Sequence, residues 1–247
     1  MLQDLHSHTY YSFCGADTPE QVVEAAINGG IELLGITDHH YGIGNARIDV
    51  YLSNSDQIKE DYGRTLQRYY DHINLIKEKY AGKINVLRGI EICTVNQGRL
   101  PLPETADISF FDYCLIENLD HKGNTITNGD LFSFADRCGC PCGIAHTNMF
   151  AFIESIGEKP LDYFTKMAEK NIFWEMNVNL DTIHKGNVHG YMLKFFEDEQ
   201  QQEIIRKSGV RLSIGFDGHR VYDYKPERIK DYCRRVTDMG IKLAFEE

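Results

Sequence analysis

The first chemistry in the chain lies in residues 2–8, Leu-Gln-Asp-Leu-His-Ser-His, where His6 and His8 stand two residues apart. On a strand running into a loop, side chains two apart project to one side, so both imidazoles aim at one point and can hold a transition-metal ion. One such pair says little by itself. The rest of the chain, however, supplies Asp38 and His39, Glu91, His121, His146, Asn177, and Asp217 with His219, each at or just past the end of a short apolar segment. A four-coordinate catalytic zinc takes about three protein ligands and a water. This many imidazoles and carboxylates exceeds that demand and points to two or three ions, with a carboxylate such as Glu91 bridging a pair. Two ions roughly 3.5–4 Å apart can clamp the attacking and leaving oxygens of a phosphoryl transfer, and a metal lowers the pKa of bound water towards about 7. The expected chemistry is metal-assisted hydrolysis, with Asp217, His219 and Glu91 as the candidate catalytic residues.

Strands must deliver these side chains, and the sequence between them reads as helices. Thr18-Pro19-Glu20-Gln21 is a strong helix start, with Thr as N-cap, Pro at the first helical position and Gln closing a capping box; Gly29-Gly30 stops that helix. Residues 32–37 form an apolar strand ending in Asp38-His39-His40, of which His40 is expected to be exposed. A long helix is expected over 53–80, from Ile58, Tyr62, Leu66, Tyr69, Ile73 and Ile76 at spacings of three and four. Further strands are expected at 84–90, 110–116, 142–145, 172–178 and 210–214, with helices at 130–138, 161–170, 191–208 and 227–239 and a short tail at 241–245. About seven strands, each followed by a helix, is the pattern of parallel β/α units, and right-handed crossovers close such units into a barrel. In such barrels the active site sits at the C-terminal strand ends, where the candidate donors fall. The fold expected is α/β, one barrel domain over 1–247.

His-x-His near the start, Ile-Thr-Asp-His at 36–39, Gly-Ile-Glu at 89–91, the lone His121 and His146, and Asp-Gly-His at 217–219 together resemble the polymerase and histidinol phosphatase (PHP) family of metal-dependent phosphoesterases. The resemblance covers nearly the whole chain in order and implies a distorted (β/α)7 barrel with a two- or three-metal site, the ions being zinc, manganese, iron or cobalt. By position it implies that His6, His8, Glu91 and Asp217 hold one ion and Glu91, His121 and His146 a second. A third would be held by His39 and His219 with one more ligand. There the chain departs: family members commonly carry a His or an acidic residue eight positions after the first histidine, and this chain has Cys14. Cys14 as a thiolate or Asp17 could complete that site, or it is weak, since a thiolate favours softer ions than its neighbours do. Asp38 is expected to support the site by accepting a hydrogen bond from a ligand histidine.

Composition narrows the substrate. A formal charge of −11 argues against a general nucleic-acid grip, which needs basic surface to displace phosphate counterions. The implied activity is hydrolysis of a small phosphomonoester, histidinol phosphate or similar, by attack of a metal-bound hydroxide. Arg99, Lys185 and Arg220, basic residues in expected rim loops, are the candidate substrate contacts; His184 and His189 border the same space. Two rivals share the site: a nucleotide phosphodiesterase or exonuclease, and a catalytically inactive metal-binding regulatory protein, towards which Cys14 leans. An amidohydrolase also begins with His-x-His, but the glutamate after the third strand and the final Asp-x-His speak against it. Seven scattered cysteines do not form a secreted disulfide framework, and Cys138, Cys140 and Cys142 read as small buried residues leading into a strand. With no signal-like N-terminus and no long apolar run, a cytoplasmic location and no membrane contact are expected.

Overall fold

Short apolar runs become strands here because both of their faces are covered, the inner one by the barrel interior and the outer one by helices. The computed structural model describes residues 1–44, 55–95, 102–104, 106–121 and 130–246. Its strands are β1 (Gln3–Asp4), β2 (Leu33–Ile36), β3 (Asn85–Cys93), β4 (Tyr113–Glu117), β5 (Cys142–Ile144), β6 (Ile172–Asn177) and β7 (Leu212–Gly215). All pair in parallel with their neighbours in chain order. The two edges then meet. Leu5 N–H donates to Ile214 O at 2.8 Å, Asp217 N–H to His6 O at 2.7 Å, and Ser7 bridges to Gly218, so the sheet curls into a nearly closed (β/α)7 barrel. The regular part of the first strand is shorter than residues 2–8, but this bridging carries His6 and His8 alongside the end of β7.

The stagger of the strands sets which residues reach the mouth. β3 pairs with β2 from Asn85 to Arg88 and with β4 from Gly89 to Cys93, so its two halves serve different neighbours. Leu5, Leu33, Tyr113, Leu115, Ala145 and Phe173 fill the interior. Tyr113 crosses it to donate a hydrogen bond to Leu5 O at 2.6 Å. Only glycine at 35 permits this, since a Cβ there would stand 1.8 Å from the Tyr113 hydroxyl.

Helices cover the outside: α1 (Pro19–Asn28), α2 (His40–Gly44), α3 (Ser55–Lys79), α4 (Leu131–Cys138), α5 (Met149–Ser155), α6 (Pro160–Glu169), α7 (Gly190–Glu197), α8 (Glu199–Ser208) and α9 (Pro226–Asp238). Thr18 and Gln21 form the expected capping box on α1. The single helix expected over 191–208 is two. Asp198 breaks it with extended backbone (φ −103°, ψ 97°), and its carboxylate caps α8 by accepting from the N–H groups of Gln200 and Gln201. α2 and α5 were not expected from periodicity, being too short to show it. His40, expected at the surface, is fully buried at the start of α2, and burial, with the charge of His39 beside it, pushes its pKa down to about 3. Among the described residues no helix is long and apolar enough to cross a membrane.

One ion pair ties β3 to the approach of β4. Asp112 accepts from Arg88 N–H at 2.8 Å, from Nε at 3.0 Å and from Nη2 at 2.6 Å. Burial raises the Asp112 carboxyl, but these hydrogen bonds outweigh it and hold its pKa below the ordinary value. A depressed native pKa stabilises the fold above the unfolded value of about 3.9 and loses that contribution as pH falls through the native one. Asp112→Asn is therefore expected to cost about 2 kcal/mol at pH 7. In urea titrations of chelator-treated protein, the gap to the parent should narrow as the pH drops below about 4.

Candidate metal centre

Glu91, buried near the end of β3, stands at the centre of the donors. Its Oε1 lies 3.2 Å from His146 Nε2 and 3.3 Å from His6 Nε2; its Oε2 lies 2.8 Å from His39 Nδ1 and 3.4 Å from His8 Nε2. Asp217 adds a second carboxylate, with Oδ1 at 3.1 Å from His8 Nε2, 3.5 Å from His6 Nε2 and 3.8 Å from His219 Nε2. Cys14 closes one side of the cluster, its thiol in hydrogen-bond contact with His39 and His219.

Both imidazoles of the first pair are aimed by partners behind them. His6 Nδ1 donates to Glu175 Oε1 at 2.7 Å. His8 Nδ1 faces Ser12 Oγ at 3.2 Å, and Ser12 donates in turn to Asp38 at 2.7 Å. Asp38 thus acts on His8 through Ser12 and contacts no ligand histidine directly. It accepts as well from Thr9 N–H, Thr9 Oγ1 and Ser12 N–H, which folds the 9–12 turn and brings Cys14 to the cluster. Glu175 has a second task, accepting the backbone N–H of His146 at 2.8 Å. Room for it comes from Gly215 on β7, where a Cβ would stand 2.1 Å from Glu175 Oε1 and 2.6 Å from His6 Cβ. Asn177 donates to Asp217 Oδ2 at 3.3 Å and Asn179 to Asp217 O at 2.9 Å. Both His146 (φ 28°) and Asp217 (φ 53°) sit in the left-handed backbone region, a strain held by these contacts.

The cluster carries the marks of a cation site. With both Nδ1 atoms committed to oxygen partners, His6 and His8 turn their Nε2 lone pairs on each other at 3.2 Å, a contact that needs a positive charge between or upon them. His39 Nδ1, Glu91 Oε2, Asp181 Oδ2 and His219 Nδ1 are buried without a well-directed hydrogen bond, although carboxylate and imidazole stand close together. Ligands gathered around a common ion leave this pattern, and the His, Asp and Glu groups fit metal binding. Electrostatics agree. Burial opposes charge on His6, but Glu175, Asp217 and Glu91 outweigh it and raise its pKa well above the ordinary value. The same balance brings His146 to about 9, chiefly through Glu91, and His219 to about 10, chiefly through Asp181 and Cys14. Burial and the charge on His39 push His8 down to about 3, keeping it neutral.

Of the donors expected from sequence, His6, His8, His39, Glu91, His146, Asp217 and His219 come together with Cys14. His121 does not join them. It is exposed in the turn after β4, its N–H on Asn118 O. The carboxylate on that side is Glu117, the buried last residue of β4, 3.7 Å from His39 Nδ1. Asp17 is engaged elsewhere, accepting Val221 N–H at 2.7 Å. Lys185 and Arg220 are exposed, the latter donating to the Tyr222 hydroxyl; Arg99 lies outside the described residues. Sequence reasoning missed Glu117, Glu175 and Asp181. Acidic residues inside strand-like runs (Tyr-Cys-Leu-Ile-Glu and Ile-Phe-Trp-Glu-Met-Asn) were the available signal for the first two. Asp181 holds His184 through its N–H at 2.8 Å and Nδ1 at 2.9 Å, and His184 Nε2 then stands 3.7 Å from Asp217 Oδ2.

A family model described as the PHP domain matches residues 4–239. The chain belongs to the PHP-domain family. No curated protein gives a significant match. Among solved structures, the PHP-domain chain is similar to histidinol phosphate phosphatase from Lactococcus lactis subsp. lactis, crystallised with zinc, L-histidinol and phosphate. That likeness has a TM-score of 0.55 at 14% identity, covering 98% of this chain and 95% of the other. It is similar too to a putative histidinol phosphatase from Listeria monocytogenes, with a TM-score of 0.53 at 15% identity, covering 90% of this chain and 96% of that one. At such identity the likeness concerns the fold.

Two outcomes follow from the arrangement. Glu175→Gln should weaken metal binding by roughly 10–100-fold in chelator-competition titrations, because His6 loses the acceptor that fixes its tautomer. Because His6, His146 and His219 hold protons in the metal-free protein, adding zinc at pH 7 should release protons. Calorimetry in buffers of different ionisation enthalpy should show a buffer-dependent heat; a heat independent of buffer would contradict this charge state.

Proposed function

We propose that this PHP-domain protein is a metal-dependent phosphatase acting on a small phosphomonoester, with histidinol phosphate or a close analogue as the leading substrate. The observation that carries the reading is the shared carboxylate: each oxygen of Glu91 faces two imidazoles, the arrangement of a ligand that bridges ions. His6, His8, Glu91 and Asp217 are assigned to one ion, Glu91 and His146 to a second, and Cys14, His39 and His219 to a third. Glu117 supplies the carboxylate on the side where His121 was expected. Divalent ions held there would activate a water and neutralise phosphoryl oxygens.

The remaining roles fall to side chains at the mouth. His184, Lys185 and His189 line a shallow depression of about 330 Å³ formed by the loop after β6. Lys185 and His189 are assigned to the phosphate and the polar tail of the substrate. His184 has its Nδ1 tied to Asp181 and its Nε2 turned towards Asp217, so it is assigned to hand a proton to the leaving oxygen. The negative formal charge of −11 supports a compact substrate over a polyanionic strand.

The test is elemental analysis of protein purified without chelator, alongside hydrolysis of an aryl phosphate monoester, the matching diester and histidinol phosphate. Two or more ions per chain and monoester turnover abolished by chelation support the reading. Preference for the diester would favour a phosphodiesterase, and bound metal without turnover of any ester a binding protein. His184→Gln should lower kcat about 10²–10⁴-fold on the alkyl phosphate and far less on an aryl phosphate, whose leaving group needs no proton.

A further inference from the structure

Four of the seven cysteines meet at a place the hydrolytic site does not use. Cys114 on β4 and Cys142 at the start of β5 are register partners, and their sulfurs stand 3.4 Å apart. Both face the helix layer, whereas Leu115, next to Cys114 on β4, faces the barrel interior. Cys138, the last residue of α4, points into the same spot, and the sulfurs of Cys114, Cys138 and Cys142 all lie within 4.8 Å of one another. Left-handed Gly139 (φ 67°) turns the chain back so that Cys140, partly buried, brings its thiol to that of Cys114. All four are free thiols. The cluster adjoins the N-terminal end of β5, while His146 follows the C-terminal end of the same strand, so a whole strand separates it from that ligand.

Ordinary core packing disperses cysteines among larger apolar side chains; here they are gathered on one another, and sulfur is a weak acceptor for a neighbouring thiol. Three of the sulfurs, those of Cys114, Cys138 and Cys142, already stand near ligand spacing, and Cys140, in contact with Cys114, is the fourth within reach. With Zn–S near 2.3 Å, a tetrahedral ion sets its sulfurs about 3.8 Å apart. Closed sets of four thiolates are structural zinc sites, and soft ligands select zinc over the harder ions that carboxylates take. We propose that Cys114, Cys138, Cys140 and Cys142 form a separate structural metal site that takes one zinc ion. Binding converts four thiols to thiolates and releases four protons to solvent, including the one that the Cys142 thiol directs at Cys140 O at 3.3 Å. The ion then pins the end of α4 and the connection into β5 against β4, at the face of a barrel that serves stability.

Cobalt(II) separates this site from the other, because only thiolate ligands give an intense near-ultraviolet charge-transfer band. The measurement uses the Cys14→Ser protein, reduced and stripped with chelator, since that substitution removes the thiol in contact with the imidazole cluster. Titration with cobalt(II) should give the sulfur-to-cobalt band, rising to a plateau whose intensity is that of one thiolate-bound ion per chain, and zinc should bleach it. Introducing Cys138→Ser should abolish or strongly diminish the band; should that variant fail to fold by circular dichroism, Cys140→Ser, at a half-buried position, takes its place. No band in folded, reduced Cys14→Ser protein, as four thiols that only pack together would give, overturns the proposal. So does a band unchanged by either further substitution.

Discussion

A carboxylate with no exposed surface, set among four imidazoles, is the constraint to which the rest of this molecule answers. Burial by itself would drive Glu91 to take up a proton, yet the surrounding histidines hold its pKa well below the ordinary value. Removing either sign of charge would leave the other uncompensated at high cost in a water-poor interior. The cluster can thus be neutral overall only with protons on several histidines or with metal ions in their place.

The barrel is the device that makes such a cluster affordable. Its donors come from the ends of separate strands, so none need share a backbone segment beyond the His6–His8 and Asp217–His219 pairs, and each strand is fixed on both sides by its neighbours. Supporting groups lie one layer further in. Glu175 reaches two histidines at once, one through a ring nitrogen and one through a backbone N–H, and it fits because Gly215 has no side chain. The strained backbone at His146 and Asp217 persists because the same network over-determines it. The cysteine cluster lies away from this chemistry, between strand and helix, where it bears on how firmly α4 and β5 are joined.

Much of this was legible in the amino-acid order. Alternating apolar runs and helix signals gave the β/α pattern, and the position of His6, His8, His39, Glu91, His146, Asp217 and His219 at or near strand ends was visible in the amino-acid order. Local signals succeeded where the cause is local: Thr18 and Gln21 cap α1 through contacts within one turn. They failed where the cause is distant. Glu117 closes the β3–β4 pairing opposite Cys93 and is buried, whereas His121, four residues on and past that pairing, is exposed. His40 follows His39 yet is fully buried, because α2 begins there and its ring meets the backbone of Cys93 at the end of β3.

The sequence by itself determined the donor chemistry, the order of the units and the sign of the net charge, since residue type and periodicity are carried by each segment alone. Only the tertiary structure decided the partners: that Asp38 speaks to His8 through Ser12, that Asp17 is spent on Val221, that Glu175 aims two histidines, and that Cys114 joins three cysteines far along the chain. Those pairings arise when strands remote in sequence are brought into register, and register is fixed by the closing of the whole barrel.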